Sequence, residues 1–462
     1  MTRPTLNSLI GKRVHFIGIG GAGMSGLARI ALSQGIIVSG SDAKESSVVK
    51  ALQAVGATIA ISHDASNVTG ADLVVYSTAI SANNPELTCA HELAITTLTR
   101  AAALSILMSE SKSIAVAGTH GKTTTSSMMA VALQSCGADP SFAIGGTITA
   151  SGSNAHRGAG EIFVAEADES DGSFIEYHPY AAIVTNVEHD HVDFFATAQD
   201  VAQAFRDFAA TIKHDGFLTY CADDDGAKAL AATTSTCRLI SYGTTDESDL
   251  KLDSIELEAM GSRARAIWRG KVVGNIELQV PGQHNLLNAA AVLATGLTLG
   301  FSAPQLLSGL ALFRGTGRRF ELKGTVHGIR VIDDYGHHPT EIDVTLKAAR
   351  RFAGDGRVIV IFQPHRYSRT KAFAKDFAHV LDMADRAIVL EIYAASEKPM
   401  AGVTSRLITD EMTHGEYIPN FIEVADSVVE SAQPQDVIIT LGAGDVSSLA
   451  PIIVDGLSRR FA

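Results

Sequence analysis

A short glycine-rich loop is the part of this sequence best suited to phosphate chemistry. The segment GTHGKTTT follows an apolar stretch and carries Gly118, Gly121, Lys122 and Thr123. Glycines let backbone N–H groups approach phosphate oxygens, a lysine ammonium can reach the β- and γ-phosphates, and a threonine hydroxyl can bind Mg²⁺. A standard phosphate loop has one more glycine where Val116 stands, so this loop is of a shortened kind. It predicts a nucleoside triphosphate site rather than a solvated loop.

Two further groups that could hold a metal follow later apolar segments. Glu166 lies in VAEADESDGSF and His191 lies in TNVEHDHVD, each at the end of a predicted strand. The carboxyl ends of parallel strands meet at the edge of the sheet where ligands bind. Thr123, Glu166 and His191 are therefore predicted to hold Mg²⁺ against the phosphates, and a solvated acidic surface is the alternative interpretation.

Arginine and histidine are concentrated in three segments further along the chain. These segments are GRRFE, DDYGHHP and QPHRYSRT. Guanidinium groups bind carboxylates and phosphates through two parallel hydrogen bonds, and this favours an anion-binding role over that of solvated surface arginines. The residues concerned are Arg318, Arg319, Asp334, Tyr335, His337, His338, His365, Arg366 and Arg369.

An N-terminal GxGxxG pattern is a second candidate for binding an anion. Gly18, Gly20 and Gly23 stand between a predicted strand and a predicted helix, and Asp42 closes the next strand. Such glycines let the backbone approach a pyrophosphate at a helix N-terminus. Taken alone, the pattern suggests NAD and an oxidoreductase. The diphosphate of a nucleotide sugar would use the same contacts, and a turn that binds nothing is the third interpretation.

Parallel sheets are required to position these segments. Apolar strands alternate with glycine turns and helices in RVHFIGIGGAGMSGLARIALSQGIIVSGSD, and the alternation begins again at SIAVAGTHGKTTT and after FRGTGRRFELKG. This pattern predicts three α/β domains in series, at residues 1–107, 108–313 and 314–462. Residues 244–277 alternate in the manner of antiparallel strands, which predicts a small β insertion in the middle domain.

The composition is that of a large globular protein with several domains. The chain has 462 residues, of which 46% are hydrophobic and 19% are charged. A net charge of -13 argues against a general nucleic-acid binder. The four dispersed cysteines predict neither a zinc site nor a disulfide framework, and they fit a reducing cytoplasm. No apolar run approaches the roughly 18 residues of a membrane span, so we expect no membrane association.

Taken together, these segments resemble the Mur ligase family of peptidoglycan synthesis over nearly the whole chain. The resemblance is carried by HFIGIGGAGMSG, GTHGKTTT, EADESD, NVEHDHVD, GQHNLLNA, GTGRRFE, DDYGHHPTEI, QPHRYSRT and EIYAASEKPMAG. It implies an N-terminal Rossmann-like domain for a UDP-sugar, a central P-loop ATPase domain and a C-terminal Rossmann-like domain that brings the amino acid. It also implies an ATP- and Mg²⁺-dependent ligase that joins the lactyl carboxylate of UDP-N-acetylmuramate to L-alanine through an acyl phosphate. A cytoplasmic monomer or homodimer is expected.

The resemblance also implies roles for individual residues. The UDP-sugar would lie against Gly18, Gly20, Gly21, Gly23, Met24, Ser41, Asp42 and Ser77. ATP would lie against Gly118, Thr119, His120, Gly121, Lys122, Thr123, Thr124, His284, Asn285, Asn288, Arg319 and Asp334. The amino acid would lie against Tyr335, His365, Arg366 and Arg369. The catalytic groups would be Lys122, Glu166, His191, Arg319 and His337, and the metal ligands would be Thr123, Glu166 and His191.

Several features leave alternatives open. Sibling ligases support a second Mg²⁺ with a carbamylated lysine after the histidine motif, but residues 192–212 contain no lysine, and Arg206 is the basic residue there. A related ligase of cell-wall recycling, which would take a preformed tripeptide instead of alanine, shares the loop GTHGKTTT. An NAD-linked oxidoreductase is the alternative from another class of protein. A GTPase-like switch is disfavoured because no asparagine is followed by lysine, so the guanine-reading NKxD motif is missing.

Overall fold

Three β-sheets with flanking helices form the fold seen in the computed structural model. The structure describes residues 4–78, 80–395 and 397–462, and only the backbone at residue 22. The N-terminal sheet has five parallel strands in the order β3-β2-β1-β4-β5. Its strands are β1 (Arg13–Ile17), β2 (Ile37–Ser41), β3 (Thr58–Ala60), β4 (Leu73–Tyr76) and β5 (Thr96–Thr99). The helices around it are α1 (Leu6–Leu9), α2 (Ala22–Ser33), α3 (Ser47–Ala54), α4 (Pro85–Glu92) and α5 (Arg100–Met108).

The central sheet has ten strands, which comprise β6 (Lys112–Ala117), β7 (Ser141–Ile148), β8 (Ser153–His156), β9 (Ile162–Glu166), β10 (Ala181–Val184), β11 (Phe217–Cys221), β12 (Arg238–Gly243), β13 (Leu250–Leu257), β14 (Ser262–Trp268) and β15 (Lys271–Leu278). They lie in the order β15-β14-β13-β12-β11-β10-β6-β9-β7-β8. The helices are α6 (Lys122–Ser135), α7 (Ala198–Ala210), α8 (Asp225–Thr233), α9 (Gln283–Thr298) and α10 (Ala303–Ala311).

The antiparallel strands predicted within residues 244–277 are confirmed. Strands β13, β14 and β15 pair antiparallel with one another. They do not form a separate insertion, because β13 pairs in parallel with β12 and so extends the central sheet at its edge.

The C-terminal sheet has six strands in the order β16-β17-β21-β18-β19-β20, with β16 antiparallel to its neighbour. The strands are β16 (Glu321–Val326), β17 (Ile329–Asp334), β18 (Val358–Phe362), β19 (Arg386–Val389), β20 (Gly415–Tyr417) and β21 (Val437–Leu441). The helices are α11 (Pro339–Ala353), α12 (Tyr367–Leu381), α13 (Arg406–Thr409), α14 (Phe421–Ser431) and α15 (Leu449–Arg460). The predicted α/β architecture with parallel sheets is confirmed.

The N-terminal and central domains share one apolar core, whereas the C-terminal domain has apolar clusters of its own. Parallel strands covered on both faces are apolar throughout, and residues 114–117 of β6 are accordingly fully buried. One continuous apolar cluster runs from the N-terminal sheet into the central sheet, where α2 packs on β7 and β8. The C-terminal sheet has its own apolar clusters on its two faces. The first two domains are therefore joined through their core.

A buried carboxylate organises the N-terminal sheet. Glu86 is fully buried at the start of α4, where it accepts hydrogen bonds from the Ser41 hydroxyl at 2.6 Å and the Asn67 amide at 2.6 Å. His63 Nδ1 lies 3.0 Å from the same carboxylate. Burial alone would raise the pKa of Glu86, but these polar neighbours and His15 lower it to about 2. The ionised carboxylate therefore stabilises the folded domain.

Replacing Glu86 with glutamine is expected to destabilise the N-terminal domain by about 3 kcal/mol at pH 7, since one pKa unit corresponds to about 1.4 kcal/mol. The pKa of Glu86 is lower in the folded state than its ordinary value, so its contribution is complete above pH 4.5 and is lost as the pH falls toward 2. Urea unfolding at pH 7 and at pH 3 should show a smaller difference between wild type and variant at the lower pH. Glu92→Gln, at the exposed end of the same helix, is the control. An equal loss of stability in both variants would contradict this role.

No helix within the described part of the chain is both long enough and apolar enough to cross a lipid bilayer.

Candidate active site

The phosphate loop connects the end of β6 to the start of α6. Gly118 has a φ of +132° and Gly121 a φ of +83°, in the region that favours glycine. A Cβ at position 118 would lie 2.0 Å from the Thr185 hydroxyl, and one at 121 would lie 2.9 Å from Asn288 Oδ1. The segment that follows the neighbouring strand β10 holds the loop in place, because the His120 N–H donates to Asn186 Oδ1 at 2.8 Å. The two glycines thus allow a tight loop at the N-terminus of a helix, a position that attracts anions.

The ammonium of Lys122 lies inside this loop. It donates to the carbonyl of Gly118 at 2.7 Å and to that of Thr119 at 3.1 Å, and it lies 2.8 Å from Glu169. Burial would lower the pKa of Lys122, but the attraction of Glu169 and other nearby carboxylates raises it above its ordinary value. Lys122 is therefore a fixed cation beside the loop.

Thr123 and Glu166 form a second contact across the sheet edge. The Thr123 hydroxyl donates to Glu166 Oε1 at 3.0 Å, and the Gly145 N–H donates to Glu166 Oε2 at 2.7 Å. Burial raises the pKa of Glu166 above its ordinary value. A divalent cation would stabilise the ionised carboxylate, and hydroxyl and carboxylate oxygens are ligands that Mg²⁺ accepts. The residues therefore fit a magnesium ion held against a triphosphate.

The structure places His191 beside carboxylates that the sequence did not single out. His191 Nε2 lies 3.3 Å from Glu169 Oε1, and potential ligand atoms of Asp168, Glu169 and His191 all lie within 4.8 Å of one another. Glu169 thus contacts both His191 and Lys122. Glu166 and His191 line the same cavity of about 600 Å³. The only sequence signal for Asp168 and Glu169 was their position in the acidic run EADESD.

The C-terminal domain brings two arginines to this cavity. The guanidinium groups of Arg318 and Arg319 each lie 5.0 Å from the centre of the Tyr335 ring. Arg318 is anchored within its own domain, because its Nε donates to Asp333 and its Nη2 donates to the Gly442 carbonyl. Arg319 lies 3.5 Å from Glu341, and both residues line the cavity. Arg319 is therefore the better placed of the two to meet a phosphate.

Two histidines of this domain are neutral at physiological pH. Burial is the main cause that lowers the pKa of His337 to about 3 and that of His365 to about 2. His337 Nδ1 lies 3.0 Å from the Tyr335 carbonyl, so this nitrogen carries the ring proton and donates it, which leaves Nε2 as an acceptor. The His365 ring stacks on that of Tyr393, with centroids 5.7 Å apart. His365 Nδ1 lies 3.2 Å from Arg369 Nη1 and accepts from it, so His337 is the ring whose second nitrogen can receive a further hydrogen bond without adding charge.

The arginines predicted to bind the amino acid are engaged by the central domain. Arg369 donates through Nε and Nη2 to Asp190 Oδ1 at 3.0 and 2.9 Å, and both side chains are 3% exposed. Arg366 pairs with Asp193. These ion pairs join the central and C-terminal domains beside the cavity, so the structure represents a closed arrangement of the two domains.

A smaller cavity of about 160 Å³ adjoins the phosphate loop between the same two domains. The predicted residues that line it are His120, Gly121, Thr124, His284, Asn285, Asn288, Arg319 and Asp334. Burial and the nearby Arg319 lower the pKa of His284 to about 4, so its ring is neutral. Both Asp334 oxygens accept backbone N–H groups of their own domain, from Gly336 and Phe320. Apolar residues that the sequence did not reveal, among them Phe313 and Val344, complete a pocket suited to a flat base.

The N-terminal glycine turn lines a third cavity of about 400 Å³. Its predicted members are Gly18, Gly21, Gly23, Met24 and Ser77. Gly20 donates its N–H to Asp42 Oδ2 at 2.8 Å, and Ser41 is fully buried with its hydroxyl on Glu86, so these two side chains support the turn. Arg100, which the sequence did not single out, also lines the cavity and lies against Gly23. The cavity of about 600 Å³ beside Lys122 and Thr123 is called the phosphate cavity below. Asn154, Glu166 and Asp168 line both this phosphate cavity and the cavity at the glycine turn, so the two cavities lie side by side.

Comparison with known proteins places this geometry in a family. Family models match three consecutive parts of the chain: the Mur ligase family catalytic domain at residues 13–112, the Mur ligase middle domain at 116–296, and the Mur ligase glutamate ligase domain at 318–444. The UDP-N-acetylmuramate–L-alanine ligase of Paenarthrobacter aurescens is 50% identical over 448 residues, which are 96% of this chain and 97% of that protein.

Solved structures match the whole fold. The UDP-N-acetylmuramate–alanine ligase from Thermotoga maritima superposes with a TM-score of 0.82 at 29% identity, covering 97% of this chain and 99% of that one. A murein peptide ligase from Psychrobacter arcticus superposes with a TM-score of 0.73 at 24% identity, covering 97% and 99%. At that identity the second match concerns the fold alone.

Proposed function

The chain belongs to the Mur ligase family, and we propose from this premise that it joins L-alanine to UDP-N-acetylmuramate with ATP as the activating substrate. It is an ATP-dependent acid–amino acid ligase of peptidoglycan precursor synthesis. The observation that carries this function is the 50% identity, over 96% of the chain, to a ligase of that name. The cavity between the phosphate loop, the acidic residues and the C-terminal arginines supports it.

Each substrate is assigned to one cavity. UDP-N-acetylmuramate lies along the N-terminal glycine turn with its lactyl carboxylate toward Glu166 and Asp168. The adenine base lies beside His284, Asn285 and Asn288, and L-alanine lies near Arg366 and Arg369. The domain limits proposed from the sequence, at residues 107/108 and 313/314, place the phosphate loop and the acids in one domain and the arginines in another.

The chemistry requires a carboxylate to become an electrophile. The lactyl carboxylate attacks the γ-phosphate of ATP, and the negative charge that develops there is offset by the cations Lys122 and Arg319. Thr123 and Glu166, with His191 nearby, would hold a Mg²⁺ ion, which would supply further positive charge at the phosphates. ADP leaves, and the acyl phosphate that results is an activated carbonyl.

The second step forms the amide. The neutral amine of L-alanine attacks the acyl phosphate carbonyl, and inorganic phosphate leaves from the tetrahedral intermediate. The unprotonated Nε2 of His337 is placed to accept a hydrogen bond from the amine. Water would hydrolyse the acyl phosphate, so the two domains must stay together during both steps, and the ion pair between Asp193 and Arg366 serves to hold them.

Phosphate release by the purified enzyme tests this function. We expect release only when ATP, Mg²⁺, UDP-N-acetylmuramate and L-alanine are all present, because each step consumes the product of the one before. Omission of each component in turn is the control. Release that continues without the UDP-sugar would count against the ligase.

The same assay separates the enzyme from its relative in cell-wall recycling. A preformed tripeptide offered in place of L-alanine should give less than about a hundredth of the rate, since the cavity would have to take a much larger acceptor.

NADH binding without UDP-sugar binding would revive the oxidoreductase alternative, which the relatives do not favour. A cytoplasmic location and a monomeric or dimeric state stay predictions.

A further inference from the structure

Glu341 of the C-terminal domain lies against the phosphate loop, and no pattern in the sequence indicated this position. It lies in the first turn of α11, and its side chain is 11% exposed. It lines both the phosphate cavity and the smaller cavity of about 160 Å³ that is proposed to take the adenine base. An acidic residue in the first turn of a helix is ordinarily explained by the helix dipole alone. Here the carboxylate faces inward toward functional groups.

One carboxylate contacts three of the predicted site residues. Glu341 Oε1 lies 3.4 Å from His120 Nδ1 in the phosphate loop and 3.5 Å from Arg319 Nη1. Glu341 Oε2 accepts the His337 N–H at 3.0 Å. Burial would raise the pKa of Glu341, but His337, His120 and Arg319 outweigh burial and lower it well below its ordinary value. The carboxylate is therefore charged, and it joins groups from two domains.

The contact with His120 is an ion pair. Burial would lower the pKa of His120, but Glu188 and Glu341 on its two ring nitrogens raise it to about 9. His120, Glu188 and His338 also lie close enough for a metal ion. His338 Nδ1, however, accepts the Thr340 N–H at 3.4 Å, which leaves the ring proton on Nε2. A protonated His120 thus supplies the positive charge at this junction.

We propose that Glu341 is a positioning residue that links domain closure to catalysis: it binds His120 of the phosphate loop and, with the same carboxylate, orients Arg319 and His337. This inference rests on the proposed function. Arg319 and His337 come from the C-terminal domain, so they face the phosphates only when that domain is closed. The ion pair to His120 exists only in the same arrangement. A displacement of about 1 Å of a group at the reacting phosphate can lower a rate about 100-fold.

Glu341→Gln is expected to lower kcat about 10- to 100-fold and to change the KM values for ATP and UDP-N-acetylmuramate less than about threefold. Glutamine keeps the shape and can still accept the His337 N–H, but it loses both ion pairs. Asp343→Asn, two residues along the same helix and paired with Lys347, is the matched control and should behave as wild type. A kcat within twofold of wild type would overturn the proposal. It would also be overturned if the KM values rose as much as kcat fell and the variant lost thermal stability, because a general structural defect would explain both.

A double-variant cycle tests the link across the domains. If Glu341 acts through His120, then Glu341→Gln combined with His120→Asn should lower kcat little more than the worse single variant. If the decrease in kcat of the double variant equals the product of the two single-variant decreases, the two residues act independently, and this would overturn the link.

A third measurement does not depend on which acceptor the enzyme uses. Hydrogen exchange of residues 118–122 with a non-hydrolysable ATP analogue should be slower in wild type than in Glu341→Gln, because the variant lacks the contact that holds the loop. Equal exchange would overturn the proposal. If wild type shows this protection but releases no phosphate with L-alanine, the proposed substrate is wrong while the positioning role stands.

Discussion

Lys122→Met should lower kcat by about 1,000-fold, which corresponds to about 4 kcal/mol of lost transition-state stabilisation. The ammonium of Lys122 is a fixed cation at the phosphate loop, and methionine keeps its apolar stem while it removes the charge. Steady-state phosphate release with all substrates saturating measures the loss. Lys228→Met, at an exposed lysine on α8, should leave the rate unchanged.

Folding must be separated from chemistry in this experiment. Glu169 is 1% exposed, and the loss of Lys122 leaves its carboxylate without its closest cation, which can cost about 3–5 kcal/mol of stability. The double variant Lys122→Met/Glu169→Gln removes that unpaired charge. It should regain thermal stability but not activity. Recovery of activity together with stability would contradict a role of Lys122 in phosphate chemistry.

Glu166→Gln should lower kcat by about 100- to 1,000-fold and raise the Mg²⁺ concentration needed for half-maximal activity by at least about tenfold. The glutamine carbonyl oxygen can still accept the Gly145 N–H, and its NH2 group can donate to the Thr123 hydroxyl in place of the present contact, so the local fold should persist. It lacks the negative charge that a divalent cation requires. Activity measured against Mg²⁺ concentration separates the two effects.

The control for Glu166 is close to it in the chain. Glu161→Gln, just before the same strand and exposed, should retain the wild-type Mg²⁺ dependence. Mn²⁺ binding in the presence of ATP, followed by electron paramagnetic resonance, gives a second readout. Equal Mn²⁺ affinity in Glu166→Gln and wild type would show that this carboxylate is not a metal ligand.

Local sequence patterns predicted the elements and many of the groups around the cavities. The phosphate loop was predictable because its glycines, lysine and threonine all lie within residues 118–123 and follow a buried strand. The antiparallel strands of residues 250–278 were predictable from their alternation, whereas their addition to the central sheet was not, since strand neighbours depend on tertiary packing. GxGxxG was ambiguous because a diphosphate makes the same contacts in a dinucleotide and in a nucleotide sugar.

Residues whose partners lie in another domain could not be found in this way. Glu341 has the sequence context of any acidic residue at a helix start, and Asp190 sits between two histidines that attract more attention. Their partners are His120 and Arg369, which are far away in the chain. Only the closed packing of the central and C-terminal domains brings these pairs together.

Asp190 places a carboxylate of the enzyme itself in the guanidinium fork of Arg369. If Arg369 binds L-alanine, the alanine carboxylate must displace the Asp190 carboxylate, so binding exchanges one anion for another. The affinity for the amino acid is then set by the difference between the two contacts and not by the strength of either. Such a built-in competitor lets a strongly binding arginine select a carboxylate and still release the product.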